Sequence, residues 1–111
     1  LEFRKISETE YEFTTVLQDF HMNASGTTHG GYIMSVLDSG MGTSAHQFIG
    51  GVAVTISLNT NFIGGSKPGD KILGYAKMKK QTSSLLFMYG ELKCDDRLLA
   101  TAEGIWKVIK K

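Results

Sequence analysis

The residues whose types and spacing could do chemistry are concentrated between positions 21 and 46. Within this stretch Asp38 is the only carboxylate, and its neighbours after Gly31 are apolar or small. A carboxylate in such surroundings is costly unless it has a partner or a use, and groups of this kind are candidates for catalysis. Asp38 is therefore a candidate general base. The alternative is a structural role, as a loop cap or as the partner of a buried donor.

The Gly30–Gly31 pair leads into residues 31–46, which predict the only long helix of the chain. On a helical wheel of about 100° per residue, Asp38 shares its face with small residues and methionines. A helix that is apolar or small on every side is normally buried, so we expect this helix to be enclosed. Its N-terminus would offer free N–H groups and a partial positive charge, and the glycines would let a carbonyl oxygen approach them. These are the parts of an oxyanion site.

The spacing of Gly30 and Asp38 constrains how one substrate could use both. They are eight residues apart, which is roughly 12 Å along one helix. A single reacting carbonyl needs both groups within about 3 Å of the reacting atoms. Two antiparallel helices related by a two-fold axis satisfy this requirement. We therefore expect an obligate homodimer with shared sites.

The elements that must position these groups follow from the alternation of apolar and polar residues. Five strands are predicted, and they are 11–17, 52–63, 71–80, 84–94 and 98–109. Residues 6–10 are expected to form a short turn of helix. In the second strand, Val54 and Ile56 are expected to pack on the helix, with Thr55 on the opposite face. The predicted fold class is α+β, an antiparallel sheet wrapped around one central helix.

Length, charge and composition limit the possible functional classes. The 111 residues fit a single domain, 1–111. A net charge of +1 without a basic stripe gives no case for a nucleic-acid partner. No apolar run approaches the roughly 20 residues that span a bilayer, so no membrane partner is expected. The N-terminus has no signal-peptide pattern, and the expected location is cytoplasmic.

The histidines and the cysteine do not form a metal-binding pattern. His21, His29 and His46 lack ligand spacing, so no metal site is expected. We expect His46 to be a solvated helix end and His21 a loop residue. The single cysteine, Cys94, excludes an intramolecular disulfide, and a structural thiol is favoured over a nucleophile.

One constellation in the chain resembles a known family. Asn23 is followed after five residues by His29-Gly30-Gly31 and, after six more, by Asp38. A long strand over 54–62, a turn ending in Gly69–Asp70 and the closing segment 97–104 complete the pattern. From about residue 11 to 109 the chain resembles the PaaI-like hotdog-fold acyl-CoA thioesterases. The resemblance implies a hotdog fold and hydrolysis of an acyl-CoA thioester. Because many relatives pair dimers into tetramers, it also implies a dimer of dimers as a further option.

The resemblance also implies a role for individual residues. It implies that Asp38 activates the attacking water, as general base or nucleophile, and that the backbone N–H of Gly30 polarises the thioester carbonyl. Asn23 and His29 would position the carbonyl or the water. Thr55 would assist the water.

Substrate contacts are implied at Gly31 and in the loop that contains Ser83 and Ser84. Relatives often have Gly-Arg or Gly-Lys where this chain has Thr82–Ser83, so the way in which coenzyme A is held stays open. The lysines at 77, 79 and 80 could bind its phosphates or be merely solvated. Coenzyme A is part of the substrate, so no separate cofactor is expected.

Other functions of the same fold remain as alternatives. The first is a non-catalytic acyl-CoA or acyl-carrier binding module, against which the Asp38 carboxylate argues. The next is a hotdog dehydratase or hydratase. The acyl group is not readable from the sequence. A pocket for an aryl or medium-chain acyl group could be lined by Phe20, Met22, Tyr32, Met34 and Met41, although such residues more often belong to the hydrophobic core.

Overall fold

The computed structural model describes residues 1–16, 30–66 and 69–109. Within these residues six strands and one helix are formed, and they are β1 (Glu2–Ser7), β2 (Glu10–Val16), α1 (Gly30–Ile49), β3 (Val52–Phe62), β4 (Lys71–Gln81), β5 (Leu85–Cys94) and β6 (Arg97–Ile109). Within the described residues, α1 does not have the length and hydrophobicity needed to cross a membrane.

The six strands form one sheet in the order β1-β2-β4-β5-β6-β3, and every neighbouring pair is antiparallel. The helix lies on one face and contacts β2, β3, β4, β5 and β6. β3 follows α1 directly and occupies a sheet edge, so it runs back along the helix with an unpaired outer side. The predicted α+β fold, an antiparallel sheet around one helix, is confirmed.

The helix approaches the sheet closely because glycines leave room for large side chains. The ring of Phe13 fills the space between Gly40 of α1 and Gly74 of β4, where a Cβ atom would come within 2.3 and 2.1 Å of it. Met41 packs in the same way over Gly90. The fully buried side chains of this core include Phe13, Leu37, Met41, Ile72, Leu86, Met88, Leu92, Leu99 and Trp106.

The expected turn of helix at residues 6–10 is wrong. These residues end β1, make a tight turn and begin β2. The Ser7 hydroxyl accepts from the Thr9 N–H at 3.3 Å and donates to the Glu10 carboxylate at 2.8 Å. The polar side chains therefore satisfy a hairpin turn rather than a helical one. β1 is an additional strand that the sequence pattern did not predict.

The helix is not enclosed on every side in the protomer. Its sheet-facing residues are buried, including Ile33, Val36, Leu37, Met41 and Ala45. Its other side is exposed at Gly31, Met34, Ser35, Ser39 and Thr43. The expectation of an enclosed helix is wrong for a single chain, because one sheet covers only one side of a helix.

The expected orientation of β3 is also wrong in its first half. Val54 and Ile56 point away from the helix and are 46% and 55% exposed, whereas Ala53 is buried. The pairing with β6 shifts register between Thr55 and Ser57, which marks a β-bulge. An extra residue in a strand reverses the faces on either side of it. Thr55 consequently lies on the helix side.

Candidate active site

A groove of about 390 Å³ runs between α1 and β3. It is lined by Gly31, Met34, Ser35, Asp38, Thr55 and Leu58. Asp38 lies in the middle of the helix and is half-buried rather than fully buried. Its carboxylate is the only charged group among these lining residues, and the remaining wall is apolar or small.

The carboxylate of Asp38 is joined to β3 by a hydrogen bond. The Thr55 hydroxyl donates to Asp38 Oδ1, with an oxygen–oxygen distance of 2.8 Å. Because a hydroxyl carries one hydrogen, this bond uses the donor of Thr55 and leaves its lone pairs available. Asp38 Oδ2 is not used by this bond. The pair can therefore accept hydrogen bonds from a water molecule in the groove.

The N-terminus of α1 opens at one end of the same groove. The helix begins at Gly30, and the first N–H groups of a helix have no partner within it. A Cβ atom placed on Gly31 would meet nothing within 4 Å. The Ser35 hydroxyl donates to the Gly31 carbonyl at 2.9 Å, which occupies that hydroxyl hydrogen inside the helix. The first turn carries no acidic residue, so an acceptor oxygen meets no like charge there.

The other predicted site residues fall into two groups, those outside the described part of the chain and those in the turn between β4 and β5. Asn23 and His29 lie outside the described residues, as does His21. Ser83 and Ser84 are exposed in the turn between β4 and β5 and do not line the groove. That turn is held by Thr82, whose hydroxyl accepts the Leu85 N–H at 3.0 Å.

The sequence predicted that His46 is a solvated helix end, and this prediction is wrong. It is half-buried, and its ring Nε2 lies 2.8 Å from the Ala53 carbonyl oxygen of β3. Its own carbonyl accepts the Gly51 N–H at 3.2 Å, beside Gly50, whose φ of 61° is left-handed. This is the geometry of a glycine C-cap. The ring therefore ties the last turn of the helix to the strand that carries Thr55.

The candidates for an acyl pocket divide between groove and core. Met34 is 39% exposed and lines the groove, whereas Met41 is fully buried against Gly90. Tyr32 packs against the core cluster. Phe20 and Met22 lie outside the described residues. Leu58 lines the groove. The sequence did not predict it as a pocket residue, because regular alternation along β3 assigns it only to the hydrophobic core.

Metal and thiol sites have no support in the described part of the chain. No group of three or more potential metal ligands occurs among those residues. Cys94 is a buried free thiol, 4% exposed, at the end of β5. It forms part of the hydrophobic core cluster, in keeping with the predicted structural role.

A family model described as the thioesterase superfamily matches residues 25–101, which include α1, Asp38 and Thr55. This chain belongs to that family. A sequence relative, a protein of Pseudomonas aeruginosa that carries a provisional esterase name, is 27% identical over 92 residues. The match covers 81% of this chain and 69% of the relative.

Solved structures of similar shape confirm the PaaI-like hotdog fold. A protein of Ralstonia eutropha JMP134, described as phenylacetic acid degradation-related and provisionally as a thioesterase, is 24% identical with a TM-score of 0.90. The alignment covers 96% of this chain and 83% of that one. A hypothetical thioesterase of Streptococcus pneumoniae, solved with coenzyme A, is 21% identical with a TM-score of 0.90, covering 99% and 86%.

Proposed function

We propose that this protein is an acyl-CoA thioesterase that hydrolyses the thioester of an aryl- or medium-chain acyl-CoA. The observation that carries the proposal is the Asp38 carboxylate, held by the Thr55 hydroxyl at 2.8 Å in a groove that reaches the helix N-terminus. Membership of the thioesterase superfamily supports the reaction class. The apolar wall at Met34 and Leu58 supports an apolar acyl group.

The chemistry assigns one step to each part of the groove. Asp38 takes a proton from water as the oxygen of that water attacks the thioester carbonyl carbon. The backbone N–H of Gly30 donates to the oxyanion that forms, and this kind of stabilisation is worth about 3–4 kcal/mol. The carbon–sulfur bond then breaks, and the coenzyme A sulfur receives the proton. Asn23 and His29 are proposed to position the carbonyl or the water.

The proposed site is shared between two copies of the chain. Gly30 and Asp38 are eight residues apart on one helix, so a carbonyl that meets both must meet them on different helices. A second helix would meet no charged side chain other than Asp38 on the exposed side of α1. In this arrangement the Gly30 N–H of one protomer and the Asp38 carboxylate of its partner act on the same thioester carbonyl.

The two edges of the sheet differ in a way that supports pairing through β3. β3 has no charged residue along its 11 residues, and Val52, Val54 and Ile56 are about half exposed. β1, at the other edge, carries Glu2, Arg4 and Lys5. Charged residues protect a sheet edge against pairing, and a long uncharged edge invites it. We therefore propose a homodimer that forms along β3. A cytoplasmic location and a dimer of dimers stay predictions.

The proposal is tested by thiol release from a panel of aromatic and aliphatic acyl-CoAs, with the parent compared with Asp38→Asn. Loss of the general base is expected to lower kcat about 10²- to 10⁴-fold. The circular dichroism spectrum, which reports the fold, and the molecular mass of the oligomer in solution should stay the same. Tight binding without turnover in either protein would instead identify a non-catalytic acyl-CoA binding module. Unchanged turnover in Asp38→Asn would make the carboxylate structural and the proposed mechanism wrong.

A further inference from the structure

The sequence of β3 is compatible with two arrangements of its first half. Val52, Val54, Ile56 and Leu58 occur at every second position, so a regular strand would direct all four to one face. The bulge between Thr55 and Ser57 prevents this. It directs Leu58 to the groove while Val54 and Ile56 face away from the helix. Only the bulged arrangement turns Thr55 towards Asp38.

Burial of apolar surface in the protomer favours a regular β3 strand without the bulge. In the bulged strand Val52, Val54 and Ile56 are 45%, 46% and 55% exposed, and Thr55 occupies the helix side. Moving apolar side chains from water into a packed interface is favourable. Within a single protomer, the hydrophobic pattern of β3 therefore opposes the arrangement that the site requires. Pairing with β6 holds residues 52–55 from one side, and a contact from the helix would add to it.

His46 makes that contact. A carbonyl oxygen can only accept, so the ring Nε2 donates its hydrogen to Ala53 at 2.8 Å. The His46 carbonyl meanwhile accepts from Gly51 at the end of the helix. One residue thus fixes both the start and the end of the turn between α1 and β3. A shift of β3 by one residue would move Ala53 by about 3.3 Å and break the bond.

We propose that His46 is a positioning residue that holds β3 in its bulged register, so that the Thr55 hydroxyl reaches Asp38. Ala53 lies two residues before Thr55, on the same face of the strand and on the same side of the bulge. The two hydrogen bonds, His46 to Ala53 and Thr55 to Asp38, are successive links between the helix and the strand. The catalytic consequence rests on the proposed thioesterase function, whereas the structural consequence does not.

The first test is spectroscopic and needs no activity. In methyl-labelled protein, nuclear Overhauser contacts are measured between the Thr55 methyl group and the Asp38 side chain. The parent is expected to show them. His46→Phe keeps a ring but has no donor, so these contacts should weaken or disappear while Val54 gains contacts to α1. His46→Gln restores a side-chain N–H donor and should restore the parental pattern. Gln47→Leu, an exposed neighbour, should leave it unchanged.

The second test is kinetic and compares His46→Phe with Thr55→Val. Each is expected to lower kcat about ten- to a hundredfold, the effect of losing one hydrogen bond to a charged group, with little change in KM. In the double variant the two losses should not add, because both remove the same contact. A residue that merely stabilises the fold would give additive losses and no recovery with His46→Gln.

The two tests separate this inference from the proposed function. If the parent hydrolyses no thioester, the spectroscopic test still decides whether His46 sets the register. If His46→Phe keeps the Thr55–Asp38 contacts, the inference is wrong even where the thioesterase proposal holds. Should His46→Phe be too unstable to study, His46→Leu, which also lacks a side-chain donor, is measured in its place. Loss of the Thr55–Asp38 contacts in that variant is expected, and their retention would overturn the inference.

Discussion

At the scale of single residues, the hydrogen bond between Thr55 and Asp38 links a strand to the middle of a helix. The bond leaves Asp38 Oδ2 for a water molecule and fixes the orientation of the carboxylate in the groove. A general base must lie within hydrogen-bond reach of the proton that it removes. Orientation by Thr55 is therefore a contribution to geometry that the carboxylate alone does not provide.

Replacing Thr55 with valine tests that contribution. Thr55→Val keeps the branched shape and removes the donor, so the carboxylate loses its 2.8 Å partner. A hydrogen bond to a charged group is worth about 1.5–3 kcal/mol, and kcat is expected to fall about ten- to a hundredfold. Steady-state thiol release measures the change. Thr14→Val, in β2 and outside the groove, serves as a control that should keep parental turnover.

Residue types alone were enough to select Asp38 as a candidate but not to orient Thr55. A single carboxylate in a long uncharged helix stands out in the sequence, whichever residues surround it in space. Thr55 was assigned to the wrong face because period-two counting assumes one residue per step, and the bulge at Ile56 adds a residue to β3. The partner of His46 depends on the turn that follows the helix. Local pattern gives no information about that contact.

At the scale of elements, α1 can approach the sheet because glycines face large side chains. The Phe13 ring occupies the space between Gly40 and Gly74. Core packing is so dense that one added methyl group changes the stability of the fold. The depth of the groove depends on this approach, since α1 forms one of its walls.

A methyl group at Gly74 is expected to destabilise the protein. The Cβ atom of Gly74→Ala would lie 2.1 Å from Phe13 Cε2, so the ring must move. Overpacking of this kind costs about 1–3 kcal/mol, and differential scanning calorimetry should show a lower Tm. Gly65→Ala, where nothing lies within 4 Å, should leave Tm nearly unchanged. A smaller side chain in Phe13→Leu should offset part of the loss in the Gly74→Ala background. Strictly additive losses would contradict the packing argument.

The β1–β2 hairpin is attached to the sheet by a hydrogen bond whose strength depends on pH. The Tyr75 hydroxyl donates to the Glu10 carboxylate. This bond, followed by the one from Ser7, lowers the pKa of Glu10 below 4.5. Burial and then the same bond raise the pKa of Tyr75 to about 12. The stabilisation from Glu10 is therefore present above about pH 4.5 and is lost as pH falls through its folded pKa.

Removing the phenol donor should change how stability depends on acid pH. Tyr75→Phe is expected to lower Tm near neutral pH, and its difference from the parent should shrink as pH falls below 4.5. Tm measured from pH 3 to 7 gives the comparison. In Tyr89 the pKa is raised mainly by burial, so Tyr89→Phe should show a difference from the parent that is constant over this range. A constant difference for Tyr75→Phe as well would refute the linkage.

The helix and the four strands after it were predictable because their patterns are local and long. The helix was expected over 31–46 and is found over Gly30–Ile49, and the strands after it differ by only one or two residues at their ends. β1 was missed because Glu2, Arg4 and Lys5 interrupt any alternation. Its strand conformation comes from pairing with β2 and from the contact of Phe3 with Phe13, whose ring centroids are 5.6 Å apart.

At the scale of the whole molecule, a single protomer contains the parts of the proposed site but does not bring them together. The groove holds Asp38 and Thr55, and the helix N-terminus is two turns away along α1. The uncharged edge at β3 and the exposed side of α1 lie beside that groove. A partner related by a two-fold axis would cover both and supply the missing N–H donor.

Subunit mixing tests this arrangement directly. Gly30→Pro deletes the backbone N–H at the first helical position, where proline fits the helix, and Asp38→Asn removes the base. Each variant alone is expected to be inactive. A heterodimer of the two variants has one site with both defects and one site with neither, if Gly30 and Asp38 of each site come from different chains. Random pairing of equal amounts should therefore recover about a quarter of parental turnover.

The recovered activity distinguishes shared from separate sites without any assumption about the acyl group. The variants are unfolded together and refolded so that subunits exchange, and thiol release is compared with that of the same proteins mixed after refolding. Mixing after refolding should give no activity if subunits do not exchange. If both groups came from one chain, no heterodimer would contain an intact site, and co-refolding would recover nothing. Recovery in the co-refolded sample alone would assign Gly30 and Asp38 of each site to opposite protomers.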